Sequence, residues 1–450
     1  MVGRMFKRFL VAGTTIAALW SARRRMRFSR ERLEQFQTQR IRSHLQFVVA
    51  HSEYYRELFR GHDLADWQSL PTTDKRSMME NFGAFNTLGV SREEALQVAK
   101  AAEQSRDFRP TIRGATVGLS SGSTGNYSLF LSSTRENATF IGLALARLLR
   151  GRLTEQHRIA FFHRAHSNLY QGLNSGRRQY AFFDLRCQLE TRFAALEKLQ
   201  PTQIIGPPFV LRRLSEAMRC SKLSIAPRAL LSVAEVLTDA DRDKIESDFH
   251  LQLDEAYIAT EGFIAATCPF GSLHVNEDCL VMQREWLDRE SGRFVPIITD
   301  FRRRVQPMVR YRLDDVLVAD PTACKCGSVF TKLKRIEGRC DDVLVFRGSD
   351  GSLRRIFPDF VRQAMYNASE QLRDYRVVQN VVDQLQVTID AEQAYRSECE
   401  RAVRRSLDAL FVGERCCCKM VAIEFTEHPL DSCGQTKVRR VVRNFATELT

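Results

Sequence analysis

From Phe28 to Phe59 apolar and aromatic residues (Leu33, Phe36, Ile41, Leu45, Phe47, Val48, Tyr54, Tyr55 and Leu58) recur at helical spacing among charges. That period predicts a helical N-terminal segment ending near Gly61. Leu70-Pro71-Thr72-Thr73-Asp74-Lys75 reads as an extended stretch entering a helix capped by Thr or Asp. Between Ile112 and Phe249 short apolar runs such as Ile159-Ala160-Phe161-Phe162, Gln203-Ile204-Ile205 and Ala229 to Val233 alternate with helix-period stretches such as Phe209 to Met218. Such alternation predicts an α/β layer structure around a buried sheet. After Asp341-Asp342 the pattern changes to a small α+β unit. Helices are expected over Pro358 to Tyr366 and Ala391 to Phe411, and strands over Tyr375 to Gln379, Leu385 to Ile389 and Met420 to Phe425. The expected organisation is a basic helical segment (1–69), a large α/β domain (70–341) and a small C-terminal domain (342–450).

One apolar run, Phe9 to Trp20, lies near the N-terminus with Arg4, Lys7 and Arg8 before it and Arg23, Arg24 and Arg25 after it. As a helix it reaches about 18 Å, short of a hydrocarbon core of about 30 Å, so it does not span a membrane. Three readings stay open: an interfacial helix, a helix packed on the domain, or sequence upstream of the true start.

The chain has 450 residues, 44% apolar and 27% charged, which excludes a disordered or collagen-like polymer. The net charge of +13 is unevenly spread. Met1 to Arg42 holds eleven Lys/Arg and two Glu, leaving only +4 for the rest. A basic arm on a near-neutral body argues against a nucleic-acid-tracking protein and fits contact with an anionic membrane surface or an acidic partner. The twelve Cys are irregularly spaced and follow no secretory cleavage pattern, so a reducing, cytoplasmic setting is expected, with peripheral attachment to the inner membrane face if the arm binds lipid.

The most informative run is Val117-Gly118-Leu119-Ser120-Ser121-Gly122-Ser123-Thr124-Gly125-Asn126. Hydroxyl residues interleaved with Gly form a loop whose backbone N–H groups can converge on phosphate oxygens. No Lys-Ser/Thr follows the last Gly, so it is not a Walker loop. In order after it come Ser232-Val233-Ala234-Glu235, Ala256-Tyr257-Ile258-Ala259-Thr260-Glu261-Gly262, Val309-Arg310-Tyr311-Arg312-Leu313-Asp314-Asp315, Glu337-Gly338-Arg339-Cys340-Asp341-Asp342 and Gly434-Gln435-Thr436-Lys437. Together these runs resemble the signatures of the adenylate-forming superfamily, in its phenylacetate–CoA ligase-like branch.

The resemblance implies a large N-terminal α/β domain of the adenylate-forming type and a small, mobile α+β lid hinged at Asp341-Asp342. It implies ATP contacts from Ser120, Ser121, Gly122, Ser123, Thr124, Gly125, Ala234, Glu235 and Tyr257. Thr260 would donate its hydroxyl to the α-phosphate, and Glu261 would hold magnesium through hard oxygen ligation. Asp315 would accept both ribose hydroxyls, and Arg339 would reach ribose or phosphate oxygens. Lys437 would neutralise charge on the α-phosphate and attacking carboxylate. The expected reaction is adenylation of a carboxylic acid, followed by transfer to a thiol of coenzyme A or a carrier-protein phosphopantetheine arm. Two other readings stay open: adenylyl transfer to a phenolic hydroxyl, as in deazaflavin-cofactor synthetases, and a catalytically silent interaction protein. The chain departs from the family where Asn126-Tyr127-Ser128 replaces the usual Pro-Lys continuation of the loop, and where Asp314 replaces a common Gly.

Cys268, His274, Cys324 and Cys326 form two short-spaced pairs that can converge on a tetrahedral Cys3His structural zinc site; buried free thiols beside an incidental His are the alternative. Phe161 to Asn168 and Gly206-Pro207-Pro208 fall where the family builds its acid pocket. Aromatic walls there would suit an aryl or conjugated carboxylate, unless Phe161 and Phe162 are core residues of a strand.

Overall fold

A computed structural model describes residues 2–119, 128–163, 176–185, 187–369, 371–427, 430 and 440–445. The chain divides into two compact units: one of residues 1–313 with 318–335, the other of residues 314–317 with 336–450.

The large unit opens with two long helices, α1 (Val2–Arg25) and α2 (Arg30–His51). The helical period of residues 28–59 is interrupted once. Ser52, at φ −111° and ψ 121°, ends α2, and its side chain accepts from the Tyr55 N–H to start Glu53–Leu58. The extended entry at Leu70–Asp74 is also present. Thr73 pairs with Tyr311, and Asp74 forms a capping box with Ser77 at the helix Lys75–Glu80.

A small sheet follows, of β1 (Thr111–Ile112), β2 (Ala115–Leu119) and β3 (Leu129–Ser133) in antiparallel order. Gly118 lies opposite Phe130, and a Cβ there would meet the ring at 2.2 Å, so any larger residue would have to displace that ring. The main sheet alternates strands and helices as expected: β4 (His157–His163), β5 (Arg178–Asp184), β6 (Gln203–Gly206), β7 (Ala229–Ser232) and β8 (Leu253–Ala259) are parallel. Helices Pro208–Arg219 and Asp239–Phe249 pack on one face, around Leu211, Leu214, Ile245 and Phe162. The sheet then turns antiparallel through β9 (Gly262–Thr267) and β10 (Leu273–Val275), and it carries β11 (Leu280–Asp288), β12 (Arg293–Asp300) and β13 (Met308–Arg312). β14 (Asp315–Asp320) and β15 (Lys332–Arg339) complete it.

The small unit builds β16 (Leu344–Gly348), β17 (Leu353–Ile356), β18 (Asp374–Val381), β19 (Gln384–Asp390), β20 (Cys416–Cys417), β21 (Met420–Phe425) and β22 (Val441–Arg443) around helices Pro358–Ala368 and Arg396–Gly413. Its core joins Leu344, Phe346, Met365, Val387, Val403 and Phe411. The buried Gln379 amide closes the core by donating to the Val345 carbonyl (2.7 Å) and accepting from the Val345 N–H (2.9 Å). The second helix begins later than the apolar pattern implied, at Arg396 rather than Ala391, because a 3-10 turn at Gln393–Tyr395 precedes it.

One face of α1 is packed on the domain, as one of the readings expected. Ala18, Leu19 and Ala22 are buried, and a Cβ on Gly142 of the helix Thr134–Arg147 would lie 2.4 Å from the Thr15 carbonyl. The contact ends in a buried charge cluster: Asp278 pairs with Arg147 and with Arg25 Nε at 3.1 Å. Burial alone would raise the Asp278 carboxyl, but Arg147, Arg302 and Arg25 outweigh it and hold the group below the usual carboxylate range. No helix among the described residues is long and apolar enough to cross a membrane.

Candidate active site and metal centre

The adjacent parallel strands β6, β7 and β8 place three candidate segments at their C-terminal ends, in the middle of the main sheet. β6 ends at Gly206, where Pro207 caps the next helix and Pro208 opens it. Beyond β7, Val233 donates to the Gly206 carbonyl (3.1 Å), and Ala234 takes φ +71° ahead of Glu235. A non-glycine residue rarely adopts this left-handed conformation, which concentrates at functional turns. β8 carries the buried Tyr257 and leads into Thr260-Glu261, the two-residue turn of the β8–β9 hairpin, which closes on the pair Ala259 and Gly262.

The turn is tightly held. Thr260 Oγ1 donates to Glu261 Oε2 at 2.9 Å, and Arg303 Nη1 donates to the Thr260 carbonyl at 2.8 Å. Beneath it lies the buried Asp300. A Cβ on Gly262 would stand 2.9 Å from Asp300 Oδ2, so glycine is required for this close approach. Burial pushes the Asp300 carboxyl up to about 6, against the Arg302 N–H and the Arg303 and Arg302 charges. Further down β8, burial pushes Glu255 up to about 7 although Arg242 stands 3.2 Å away. Arg303 and Asp300 were not identified from the sequence. The run Asp300-Phe301-Arg302-Arg303-Arg304 is dense enough in charge to have marked the region, but not its partner.

Asp315 opens β14 and Arg339 closes β15. Cys340 N–H donates to the Asp314 carbonyl at 2.7 Å, which brings these two strand ends side by side, and Arg339 N–H donates to Asp342 Oδ2 at 3.2 Å. Ser120, Ser121, Gly122, Ser123, Thr124 and Gly125 lie outside the described residues, as does Lys437. Phe161 and Phe162 are strand core residues on opposite sides of the sheet: Phe162 stacks on Phe183 at 4.9 Å, and Phe161 on His163 at 5.3 Å. Arg164 to Asn168 also lie outside the described residues.

Cys268, His274, Cys324 and Cys326 converge, with all four ligand atoms within 4.8 Å of one another. Cys268 follows β9 and opens a turn closed by Gly271 at φ +79°, and His274 sits on β10. Cys324 and Cys326 come from the loop between β14 and β15, where Gly327 at φ +72° closes the turn. Cys268 Sγ and Cys324 Sγ are 3.7 Å apart, and Cys326 Sγ is 3.5 Å from His274 Nε2. Metal–sulfur bonds of about 2.3 Å and a metal–nitrogen bond of about 2.0 Å at tetrahedral angles give separations of roughly 3.7 and 3.5 Å. A disulfide, at about 2.05 Å between sulfurs, is excluded for that pair. His274 Nδ1 faces the Phe330 carbonyl at 2.9 Å, which fixes the ring and turns Nε2 to the cluster.

The fold and the ordered signatures define the class: the chain has the fold of the adenylate-forming ligases. More particularly, it is a relative of phenylacetate-coenzyme A ligase from Thermus thermophilus, 22% identical over 412 residues, which cover 83% of this chain and 85% of that protein. A 157-residue stretch, 34% of either chain, is 30% identical to protein CapK of Staphylococcus aureus. Among solved structures, 2-hydroxyisobutyryl-CoA ligase in the postadenylation state with 2-HIB-AMP superposes with a TM-score of 0.70 at 16% identity, covering 94% of this chain and 91% of that one. No protein-family model matches the chain.

Proposed function

We propose that the protein activates a carboxylic acid with ATP and passes the acyl group to the thiol of coenzyme A. The observation that carries this reading is the Thr260-Glu261 hairpin turn at the C-terminal end of β8, braced by Arg303 in an adenylate-forming fold. The substrate carboxylate attacks the α-phosphorus, the bond to the β-phosphate oxygen breaks, and pyrophosphate leaves. Thiol sulfur then attacks the acyl carbon, AMP departs, and the thiol proton is released.

The residues have separable tasks. The hydroxyl–glycine loop Ser120 to Gly125 would surround the phosphates with N–H donors. The Thr260 hydroxyl, now spent on Glu261, would turn to an α-phosphate oxygen, freeing a carboxylate suited to hard-cation ligation. Magnesium held there would draw charge from the phosphates. Asp315 and Arg339 would hold the ribose, Ala234, Glu235 and Tyr257 the adenine side, and Lys437 the charge of the first transition state. A carrier-protein phosphopantetheine arm would offer the same thiol chemistry as coenzyme A, and a cytoplasmic setting supplies ATP and keeps the thiols reduced. Zinc would cross-link β9, β10 and the loop after β14 through Cys268, His274, Cys324 and Cys326, a closed set with no position left for catalysis.

The test is product analysis with a panel of aliphatic, hydroxy and aryl acids, ATP, magnesium and coenzyme A. An acid-dependent thioester with equimolar AMP supports the reading. A stable AMP adduct formed without thiol consumption would assign the phenolic-hydroxyl chemistry instead, and no ATP turnover with any acid would assign a silent interaction protein.

A further inference from the structure

The two faces of α1 have opposite surroundings. One face is sealed against the helix Thr134–Arg147: Ala18, Leu19 and Ala22 are buried, Thr15 Oγ1 donates to the Ala138 carbonyl at 3.2 Å, and Arg25 is anchored on Asp278. These contacts fix the rotation of the helix about its own axis. The opposite face carries Phe9, Gly13, Ile16 and Trp20, spaced by four, three and four residues and therefore in one stripe. Phe9 is 69% exposed, Ile16 57% and Trp20 61%, with Leu10 at 57% on the flank. Between Phe9 and Trp20 the sequence places no charge on either face.

A helix that buries one apolar face and still presents three large side chains to water is built to cover the second face too. The surrounding charge says with what. No acidic residue occurs before Glu31. Arg24 and Arg27 are exposed beyond the C-terminal end of the stripe, the Arg23 guanidinium lies 6.0 Å from the Trp20 ring centroid, and the sequence places Arg4, Lys7 and Arg8 at the other end. Basic clusters bracketing a narrow apolar stripe, with a Trp at one end, match the layering of an anionic bilayer surface, where rings sit at headgroup depth and cations meet phosphates. The stripe is about 16 Å long, suited to lying in the plane rather than crossing it.

We propose that the outward stripe of α1 docks the enzyme on an anionic lipid surface, with Phe9, Ile16 and Trp20 entering the interface and the flanking arginines on lipid phosphates. This rests on the helix alone and is independent of the reaction assigned above. The test is co-sedimentation of the full-length protein with vesicles of phosphatidylcholine, with and without about 30 mol% phosphatidylglycerol. The wild type should bind the anionic vesicles and weaken with salt. F9S/I16S/W20S should bind roughly tenfold more weakly or worse with an unchanged thermal transition, because the three side chains touch little else. R24E/R27E should also weaken binding. Absence of wild-type binding, equal binding by F9S/I16S/W20S, or a wild-type dimer that this variant abolishes would overturn the proposal, the last by assigning the stripe to a second copy of the chain.

Discussion

Arg303 donates to a carbonyl 43 residues away in sequence and braces the turn on which the proposed chemistry depends. Arg303→Ala should lower the adenylation rate by about tenfold, the worth of one charge-assisted hydrogen bond, with little change in thermal midpoint. An exchange assay paired with a melting curve checks this, and an equal loss in both would mean that the residue serves only the fold. Glu255 gives a pH test. Its folded value is raised to about 7 from the ordinary 4.5, so its contribution is complete below the unfolded value and is lost as pH rises through the folded one. Relative to wild type, Glu255→Gln should gain stability between about pH 5 and about pH 8, read as a shift in urea midpoint. The Thr260-Glu261 turn could be marked in the sequence because its run is local. Arg303 and Asp300 could not, because no local pattern records which turn the charges at the end of β12 will face.

At the scale of elements, Met420–Phe425 in the small unit matches its expected range, while the helix Arg396–Gly413 starts five residues later than its period implied. What the period could not show is which face of α1 is covered, since both faces are apolar. The close approach at Gly142 decides it, so Gly142→Ala should destabilise the large unit by about 1–3 kcal/mol through overpacking against Thr15 and Ala18, measured by chemical denaturation. The Cys pairs were legible as two short spacings, but their convergence depends on β10 pairing with β15 to set His274 opposite Lys332. If zinc fills that site, the purified protein should carry about one zinc per chain, and Cys324→Ser should release it and lower the thermal transition. Stoichiometric zinc absent from protein prepared without chelator would leave the cluster as free thiols.

At the scale of the molecule, two units and one reaction in two halves give a separable prediction for Lys437. Lys437→Ala should lose adenylation by roughly 10²–10³-fold, the usual worth of one transition-state charge contact, yet still convert a supplied acyl-adenylate to thioester. The large α/β body and the smaller α+β unit were readable from alternating patterns. The acid was not, because Phe161 and Phe162 turned out to be core and the segment after His163 lies outside the described residues. The central claim is that the protein forms an acyl-adenylate, and acid-dependent exchange of labelled pyrophosphate into ATP tests it most directly. Exchange that needs one class of carboxylic acid, needs magnesium and disappears in Glu261→Ala is the predicted result; no exchange with any acid, from folded protein that binds ATP, would contradict it.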